Sequence, residues 1–345
     1  MVKNMTNENK NRLVAGIVLL IAVLIPLVLD KPYYIHVLTM CLLWAYLASA
    51  WNIVGGFAGQ LSLGHGIYTS VGAYVTVILF NEFGLSPLLG MFFGAGAAVL
   101  VSLIIGLPTF GLRGAYYALS TVAISEGLVV LYENTMTIGG LRLGGAEGLI
   151  VKLIGDAPLH LQFTSKIPYY YIALVMLLLI IGLSKWITKS RLGYYLVALR
   201  EDEDGARALG IDVRRTKLIA GALSAFCAAI GGIFYAMLIR YLEPQAIAGA
   251  AMSTQMVFLA IVGGAGTVMG PVIGGILLAL ISEIIRFYLG GYVMGLHLFI
   301  YGLIVVLMII YKPGGIIEVV EHYYRRLMNF RDREVASGAG DSSGS

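Results

Sequence analysis

Four polar residues inside otherwise apolar stretches are the first candidates for chemistry in this chain. Gln60, Ser62 and His65 lie in a glycine-rich segment, and Glu126 lies in the middle of the apolar run 115–132. Such groups are costly against lipid and belong in a protein interior, at a boundary or along a water-filled path. No carboxylate or oxyanion site accompanies Ser62 and His65, so they do not form a catalytic pair. All four are candidates for lining a path; the alternatives are an interfacial histidine and a carboxyl group satisfied by neighbouring hydroxyls.

Glycines are concentrated in two segments, 55–66 and 263–275. The tetrapeptide Ile-Val-Gly-Gly occurs at the start of both, at 53–56 and again at 261–264. Paired interruptions of this kind often mark discontinuous helices around a translocation path, whereas close helix packing is the alternative explanation. The predicted helix breaks are Gly55, Gly56, Gly263, Gly264, Gly266 and Gly270.

Motifs that bind phosphate or metal are absent from the sequence. It contains no Gly-x-x-x-x-Gly-Lys-Ser/Thr and no His-Glu-x-x-His. The chain is therefore not expected to cradle ATP, to hold a metal or to carry a catalytic residue of its own. If ATP drives its activity, another polypeptide must bind the nucleotide.

The composition indicates that lipid is the solvent of this chain. Hydrophobic residues make up 59% of the 345 residues and charged residues 12%, and the mean hydropathy is +0.87. Soluble domains carry about 25% charged residues, so a soluble fold would lack the charges to cover its surface. The net charge of +4 is too small to suggest nucleic acid. Cys41 and Cys227 lie in apolar runs and are expected to be small core residues.

Apolar runs long enough to cross a bilayer predict about ten membrane spans. Roughly 20 residues cover the hydrocarbon thickness. The predicted spans are 13–29, 34–54, 67–81, 88–107, 115–132, 168–184, 218–239, 246–263, 270–289 and 297–311. The third is short and the eighth contains Gln255, so nine spans is the alternative.

Lysine and arginine placement predicts an all-α polytopic membrane protein with both termini in the cytoplasm. In that orientation 17 basic residues lie on the cytoplasmic side and five on the other, as the positive-inside rule requires. The predicted parts are a cytoplasmic N-terminus (1–12), a transmembrane domain (13–311) with an external segment (133–167) and a cytoplasmic loop (185–217), and a cytoplasmic tail (312–345). The tail has no apolar content from about 336 and is predicted to be disordered.

The 185–217 loop has the pattern of two short helices rather than of a flexible linker. Leu196, Leu199, Ala206 and Leu209 recur at helical spacing, and the acids of 201–204 open a second helix that ends at Gly210. Apolar anchors with a charged rim suit docking into a groove on a soluble partner. The alternative is a solvated connector whose basic residues only fix the topology.

Two stretches of the chain resemble the permeases of branched-chain amino acid ABC importers, and most closely the LivM type. One is Arg200-Glu-Asp-Glu-Asp-Gly-Ala-Arg-Ala-Leu-Gly-Ile-Asp running into Lys217-Leu-Ile-Ala. The other is Asn52-Ile-Val-Gly-Gly-Phe-Ala-Gly-Gln-Leu-Ser-Leu-Gly-His-Gly followed by Val71-Gly-Ala-Tyr74. The resemblance covers about 35–315 and implies the ABC importer permease fold. Urea and short-amide permeases are close relatives of this family.

In that family the part of the loop that corresponds to 190–212 contacts the ATPase. Ala206 and Gly210 match the Ala-x-x-x-Gly core of the docking motif, whereas Gly205 stands where alanine is more usual in the family. The coupling residues implied by the resemblance are Leu199, Arg200, Glu201, Asp202, Glu203, Asp204, Ala206, Arg207, Leu209 and Gly210.

The resemblance implies a subunit that transports branched-chain amino acids and is driven by partners. These would be a second permease, two ATP-binding subunits that hold ATP and magnesium, and a periplasmic or surface-tethered binding protein, in the cytoplasmic membrane of a bacterium or archaeon. Glu126 would then contact a substrate amino group or a polar residue of the second permease. One alternative is a urea or short-amide importer. Another is a self-sufficient secondary transporter. A secondary transporter is expected to line its path with ion-coupling carboxylates, but Glu126 and Glu283 are the only membrane-embedded acids in the predicted spans.

Overall fold

The computed structural model describes residues 2–29, 31–155, 157–289, 296–312 and 314–319, and this part of the chain is mainly α-helical. The helices are α1 Val2–Val28, α2 Pro32–Asn52, α3 His65–Phe83, α4 Pro87–Thr109, α5 Ala115–Glu133, α6 Ile167–Lys189, α7 Arg191–Glu201, α8 Glu203–Ala208, α9 Val213–Ile239, α10 Pro244–Ala248, α11 Ala250–Gly264, α12 Gly270–Leu289 and α13 Leu296–Tyr311. A π-helical turn, Ile53–Phe57, follows α2. The predicted all-α class is confirmed.

Seven helical segments of the described residues are long and apolar enough to cross a membrane. They are Pro32–Phe57, Pro87–Thr109, Ala115–Glu133, Ile167–Lys189, Val213–Ile239, Pro244–Gly264 and Gly270–Tyr288. The other three predicted spans fall on α1, α3 and α13. On α1 and α13, the stretches Gly16–Val28 and Phe299–Met308 are apolar helical segments of the described residues that are too short to count among these seven. The total of ten spans therefore stays a prediction.

Proline and glycine set several of the helix boundaries. Proline occupies the first turn of α2, α4, α6 and α10, where the missing N–H costs no helical hydrogen bond. At the end of α3, Gly84 takes a left-handed conformation with φ of 66°. Its N–H and that of Leu85 then bond to the carbonyls of Phe80 and Leu79 and satisfy the last turn.

The interior of the helix bundle is built around α2, which packs against α6, α9, α11 and α12. The helices α3, α4 and α9 form a second packed group. Small residues permit the close approaches there: a Cβ at Gly72 would lie 2.7 Å from the Cβ of Ala229, and one at Gly94 would lie 2.5 Å from the carbonyl oxygen of Gly72. Much of the glycine content thus serves close helix packing, as is usual in membranes.

The segment predicted to be external, 133–167, corresponds to the connection 134–166 between α5 and α6, which contains short strands. In it, β1 (Thr137–Ile138) pairs antiparallel with β2 (Leu141–Arg142). The third strand, β3 (Leu149–Ile150), pairs antiparallel with β4 (Tyr241–Leu242), which directly follows α9. Asn81 near the end of α3 also donates to the carbonyl of Ile150, at 2.8 Å. The segment is therefore attached to both α3 and α9.

On α12, Glu283 and Arg286 lie three positions apart and form an ion pair, with Arg286 Nη1 3.7 Å from Glu283 Oε1. Two smaller predictions have different outcomes. Cys41 and Cys227 are free and buried, as expected of small core residues. The predicted disorder from about 336 lies outside the described residues.

Candidate coupling site and polar junctions

The 185–217 loop folds into two short helices, α7 and α8, that begin with side-chain caps. Ser190 accepts a hydrogen bond from the N–H of Gly193, and Asp202 accepts one from the N–H of Asp204 at 3.0 Å. After α8, Gly210 takes a positive φ of 83°, and Asp212 caps the start of α9. We refer to residues 191–210 as the α7–α8 hairpin.

The apolar residues of the α7–α8 hairpin do not all face the same way. Leu199 and Ala206 are buried and pack with Val213 in a small cluster of their own. Leu196 is fully buried in the main core. Leu209, by contrast, is 83% exposed. Ala206, implied to contact a partner, therefore packs inward in this chain, and Leu209 is the apolar anchor left on the surface.

Sequence reasoning missed further exposed apolar residues on α7. Tyr194 is 69% exposed, and Tyr195 and Val197 are also exposed. Tyr194 and Val197 lie three positions apart and so share one face of the helix. The sequence did contain a signal for them. Leu196 and Leu199 define the buried face of α7 by their three-residue spacing, and Tyr194 and Val197 have the same spacing outside that face.

An ionic cluster attaches α8 to the rest of the chain. Glu203 Oε2 lies 2.8 Å from Nζ of Lys217 on α9, whose side chain is completely buried. Arg113, in the connection between α4 and α5, makes two hydrogen bonds of 2.9 and 2.7 Å to the carboxylate of Asp204. Those bonds and the guanidinium charge lower the pKa of Asp204. Arg207 lies 3.5 Å from both acids. Two of the acids assigned to a docking rim therefore make contacts inside the chain.

Three more charged residues, Arg200, Glu201 and Asp202, lie at the junction of the two helices of the hairpin. Arg200 donates to Oε1 of Glu201 at 2.9 Å, and its Nη1 also reaches the carbonyl oxygen of Gly56 at 3.4 Å. Asp202 and Glu201 are exposed. Gly205 stands where alanine is more usual in the motif. A Cβ at this position would lie 2.8 Å from Oδ2 of Asp202, the residue that caps α8.

The two glycine segments meet each other in the folded chain. Asn52 donates from Nδ2 to the carbonyl of Thr267 at 2.9 Å, and its Oδ1 accepts from the N–H of Gly266 at 2.8 Å. A Cβ at Gly56 would lie 2.5 Å from the nitrogen of Gly266. The regular helices end at Asn52 and at Gly264, so both segments are irregular where they touch. We call this contact the glycine junction.

In the second glycine segment, helix interruption and close packing occur together. Gly264 has φ of 120° at the end of α11, and Gly266 has φ of 80°. A Cβ at Gly263 would clash with the backbone of Gly270, the first residue of α12. In the first segment, a Cβ at Gly55 would clash with the Trp51 ring.

His65 is bound on both sides within the bundle. Its Nε2 lies 2.7 Å from Oγ of Ser224, which itself donates to the carbonyl of Ala50 at 2.7 Å. Since that serine proton is used, Ser224 accepts from His65, which is the neutral Nε2–H tautomer. Its Nδ1 then accepts from Ser62 Oγ, 3.1 Å away. His65, Ser62 and Ser224 are all buried, and they join α3, α9 and the end of α2.

Gln60 and Glu126 have different surroundings. Glu126 Oε1 accepts from the N–H of Ala250, the first residue of α11, at 2.8 Å, so it caps that helix. The neighbouring Ser125 donates to the carbonyl of Ala248 at 2.6 Å. Gln60 is partly exposed, and its buried Oε1 has no hydrogen-bond partner within the described ranges. Of the four candidate path residues, Ser62 and His65 are hydrogen-bonded to each other. Glu126 bonds to Ala250 instead, and Gln60 shares no recorded hydrogen bond with the other three.

Comparison with protein families identifies the chain. Residues 33–310 match the family described as branched-chain amino acid transport system / permease component. The chain belongs to this family. It is a multi-pass membrane permease of the ABC transport type, and it is a transport subunit rather than an enzyme.

Curated relatives of this permease cover most of its length. The LivM permease protein of the high-affinity branched-chain amino acid transport system of Escherichia coli (strain K12) is 27% identical over 333 residues, 90% of this chain and 76% of that protein. A probable LivH permease of Methanocaldococcus jannaschii is 28% identical over 76% of this chain and 85% of its own length. The autoinducer 2 import permease LsrC of Escherichia coli O157:H7 is 24% identical over 81% of this chain and 80% of its own. No solved structure matches.

Proposed function

We propose that this permease is the membrane-spanning subunit of an ATP-driven importer and carries branched-chain amino acids. The observation that supports this most is the α7–α8 hairpin. It is capped, it is tied by Glu203 and Asp204 to α9 and to the α4–α5 connection, and it still exposes Leu209 and Tyr194. A rigidly mounted element with exposed apolar side chains suits a soluble partner that pushes on it.

The proposed partners supply energy and substrate. Two ATP-binding subunits would hold ATP and magnesium and dock on the hairpin, while this chain binds no cofactor. A second permease of similar fold would complete the translocation path, and a solute-binding protein would deliver the substrate on the opposite side. Among the four polar residues proposed to line the path, Gln60 has an unpartnered buried oxygen within the described residues.

The proposed topology has ten spans with both termini in the cytoplasm, in the cytoplasmic membrane of a bacterium or archaeon. It is supported by the 17 to 5 distribution of basic residues. Single cysteines placed at Leu209 and at Ile150, both exposed, test it in inside-out and right-side-out vesicles. A membrane-impermeant maleimide should label position 209 only from the cytoplasmic side and position 150 only from the other.

The substrate class rests on the relatives. LivM and LivH are named for branched-chain amino acids, whereas LsrC is named for autoinducer 2. Neither urea nor short amides, the alternative solutes, appear in these three names. The deciding experiment reconstitutes the complete complex in liposomes with trapped ATP and measures uptake of labelled leucine, with isoleucine, valine, urea and acetamide as competitors. Leucine uptake without ATP and ATPase subunits, or competition only by urea or acetamide, would contradict the proposal.

A further inference from the structure

Arg200 is the residue of the α7–α8 hairpin that reaches the glycine junction. It lies in the last turn of α7, directly after the buried Leu199. Its side chain is 36% exposed, and Nη1 is 3.4 Å from the carbonyl oxygen of Gly56. The Glu201 carboxylate, 2.9 Å from Nη2, holds the guanidinium from the other side. The side chain thus bridges the hairpin and the first glycine segment.

Glycines on both sides provide the space that this side chain occupies. A Cβ at Gly59 would lie 2.8 Å from Arg200 Cγ, and a Cβ at Gly266 would lie 2.5 Å from Arg200 Nη1. Both glycines also have positive φ, 67° and 80°, which disfavours any other residue there. Arg200 therefore lies against the first and the second glycine segment at once.

The place where Arg200 inserts is the place where the two segments are joined. Asn52 bonds to Gly266 and Thr267 across the junction. A displacement of Arg200 is therefore passed to the ends of both α2 and α11, whose last residues are Asn52 and Gly264. Packed contacts of this kind transmit motion because close-packed interiors do not compress.

We propose that Arg200 is a positioning residue that transmits displacement of the α7–α8 hairpin to the glycine junction. The inference rests on the proposed function, since the displacement is the one that ATPase subunits would impose. In this proposal a single side chain, Arg200, links movement of the hairpin to movement of the ends of α2 and α11.

The test follows the movement of the junction rather than the transported solute. A cysteine is placed at Leu61, 40% exposed in the first glycine segment, in a chain whose Cys41 and Cys227 are replaced by alanine. The complete complex is labelled with a maleimide at rest and after trapping with ATP and vanadate. We expect trapping to change the labelling rate about fivefold or more when Arg200 is present. In Arg200→Ala the rate should be the same in both states while ATP hydrolysis continues.

Matched variants separate transmission from simple stability. Arg191→Ala removes an exposed arginine from the first turn of α7, and its labelling should respond to trapping as the parent does. Arg200→Lys keeps the charge but not the planar fork, so it should restore part of the response. Gly266→Ala should abolish the response by displacing Nη1. Gly84→Ala, which also has positive φ but open space around it, should leave the response intact.

The outcomes distinguish this inference from the proposed function. If the ATPases co-purify and hydrolyse ATP but the parent shows no change in labelling, the junction does not move and the inference is wrong. An unchanged response in Arg200→Ala and Gly266→Ala also overturns it and leaves the proposed function intact. Loss of the ATPase subunits from the Arg200→Ala complex would make Arg200 a docking contact and contradict transmission. A parent chain that never binds ATPases would instead refute the proposed function.

Discussion

Two polar junctions fix helices to one another in this permease, one around His65 and one beneath α8. The first uses neutral groups only, since His65 lies between Ser62 and Ser224 and all three are buried. The second uses charges: Lys217 is fully buried, but its partner Glu203 is 14% exposed and lies next to Arg113 and Arg207.

The contrast follows the cost of removing charge from water. A neutral hydrogen bond can be buried completely at little cost, whereas a buried ion needs a partner and residual solvent. The neutral junction is suited to holding α2, α3 and α9 inside the bundle. The ionic junction is suited to the edge of the bundle, where it mounts the hairpin.

The largest expected effect is at the neutral junction. His65→Leu removes the acceptor of the Ser62 hydroxyl and the donor to Ser224, which keeps its bond to Ala50. An unsatisfied buried polar group costs on the order of 1–3 kcal/mol, and the loss of the packed ring adds to it. We expect the free energy of unfolding in detergent micelles to fall by about 3 kcal/mol. The double variant His65→Leu with Ser224→Ala should lose less than the sum of the single losses. Strict additivity would show that the two side chains do not interact.

The ionic junction should respond nearly as strongly to loss of its lysine. Lys217→Met fills a similar volume but leaves Glu203 without its closest cation, and breaking a buried pair costs about 3–5 kcal/mol. Because Arg113 and Arg207 remain nearby, we expect a loss below that range, of about 2 kcal/mol. Adding Glu203→Gln to Lys217→Met should recover stability measured by thermal unfolding. A further loss would contradict the assigned pair.

Substitutions on the buried and the exposed sides of the hairpin should have different effects, the first on stability and the second on ATPase binding. Ala206→Leu overpacks the cluster with Leu199 and Val213, which costs about 1–3 kcal/mol. Leu209→Ala removes an exposed side chain, so it should leave the melting temperature unchanged and weaken ATPase binding in a pull-down. Equal loss of binding in both variants, with unchanged melting temperatures, would place Ala206 in the docking surface after all.

The smallest expected effect belongs to the exposed pair Arg113–Asp204. The pKa of Asp204 is lowered by its bonds to Arg113, so the contribution of this pair is present above the ordinary aspartate pKa. It is lost only as the pH falls through the lowered value. Lowering the pH from 7 to 5 should therefore leave any difference in melting temperature between the parent and Arg113→Gln unchanged. High salt should reduce that difference, since exposed pairs are screened.

Local patterns in the sequence were enough to predict the helices but not the contacts between them. The acids of 201–204 and Gly210 predicted the start and end of α8, and the spacing of Leu196 and Leu199 predicted α7, because caps and periodicity act within a few residues. The partners of the polar groups are distant along the chain. Ser224 is 159 residues from His65, and no local pattern links the two.

The same limit explains the residues whose surroundings were unexpected. The helical spacing that includes Ala206 is equally consistent with an inward or an outward face, and only the position of Val213 on α9 decides it. Glu126 was identified by its depth in an apolar run, but its cap on α11 depends on that helix beginning anew at Ala250, after the extended Gly249. The glycines of 55–66 and 263–275 predicted irregular backbone, yet not that the two segments meet.

One continuous helix, α9, connects the ionic junction beneath α8 with the segment 134–166. It starts at Val213, one turn before Lys217 of the ionic junction, and ends at Ile239, shortly before β4, which pairs with a strand of the segment 134–166. At 27 residues it is about 40 Å long. A tilt imposed at one end is necessarily expressed at the other, with opposite sign about any pivot between them. The ionic junction beneath the α7–α8 hairpin and the strand-bearing segment 134–166 are thus connected by one helix, without an intervening loop.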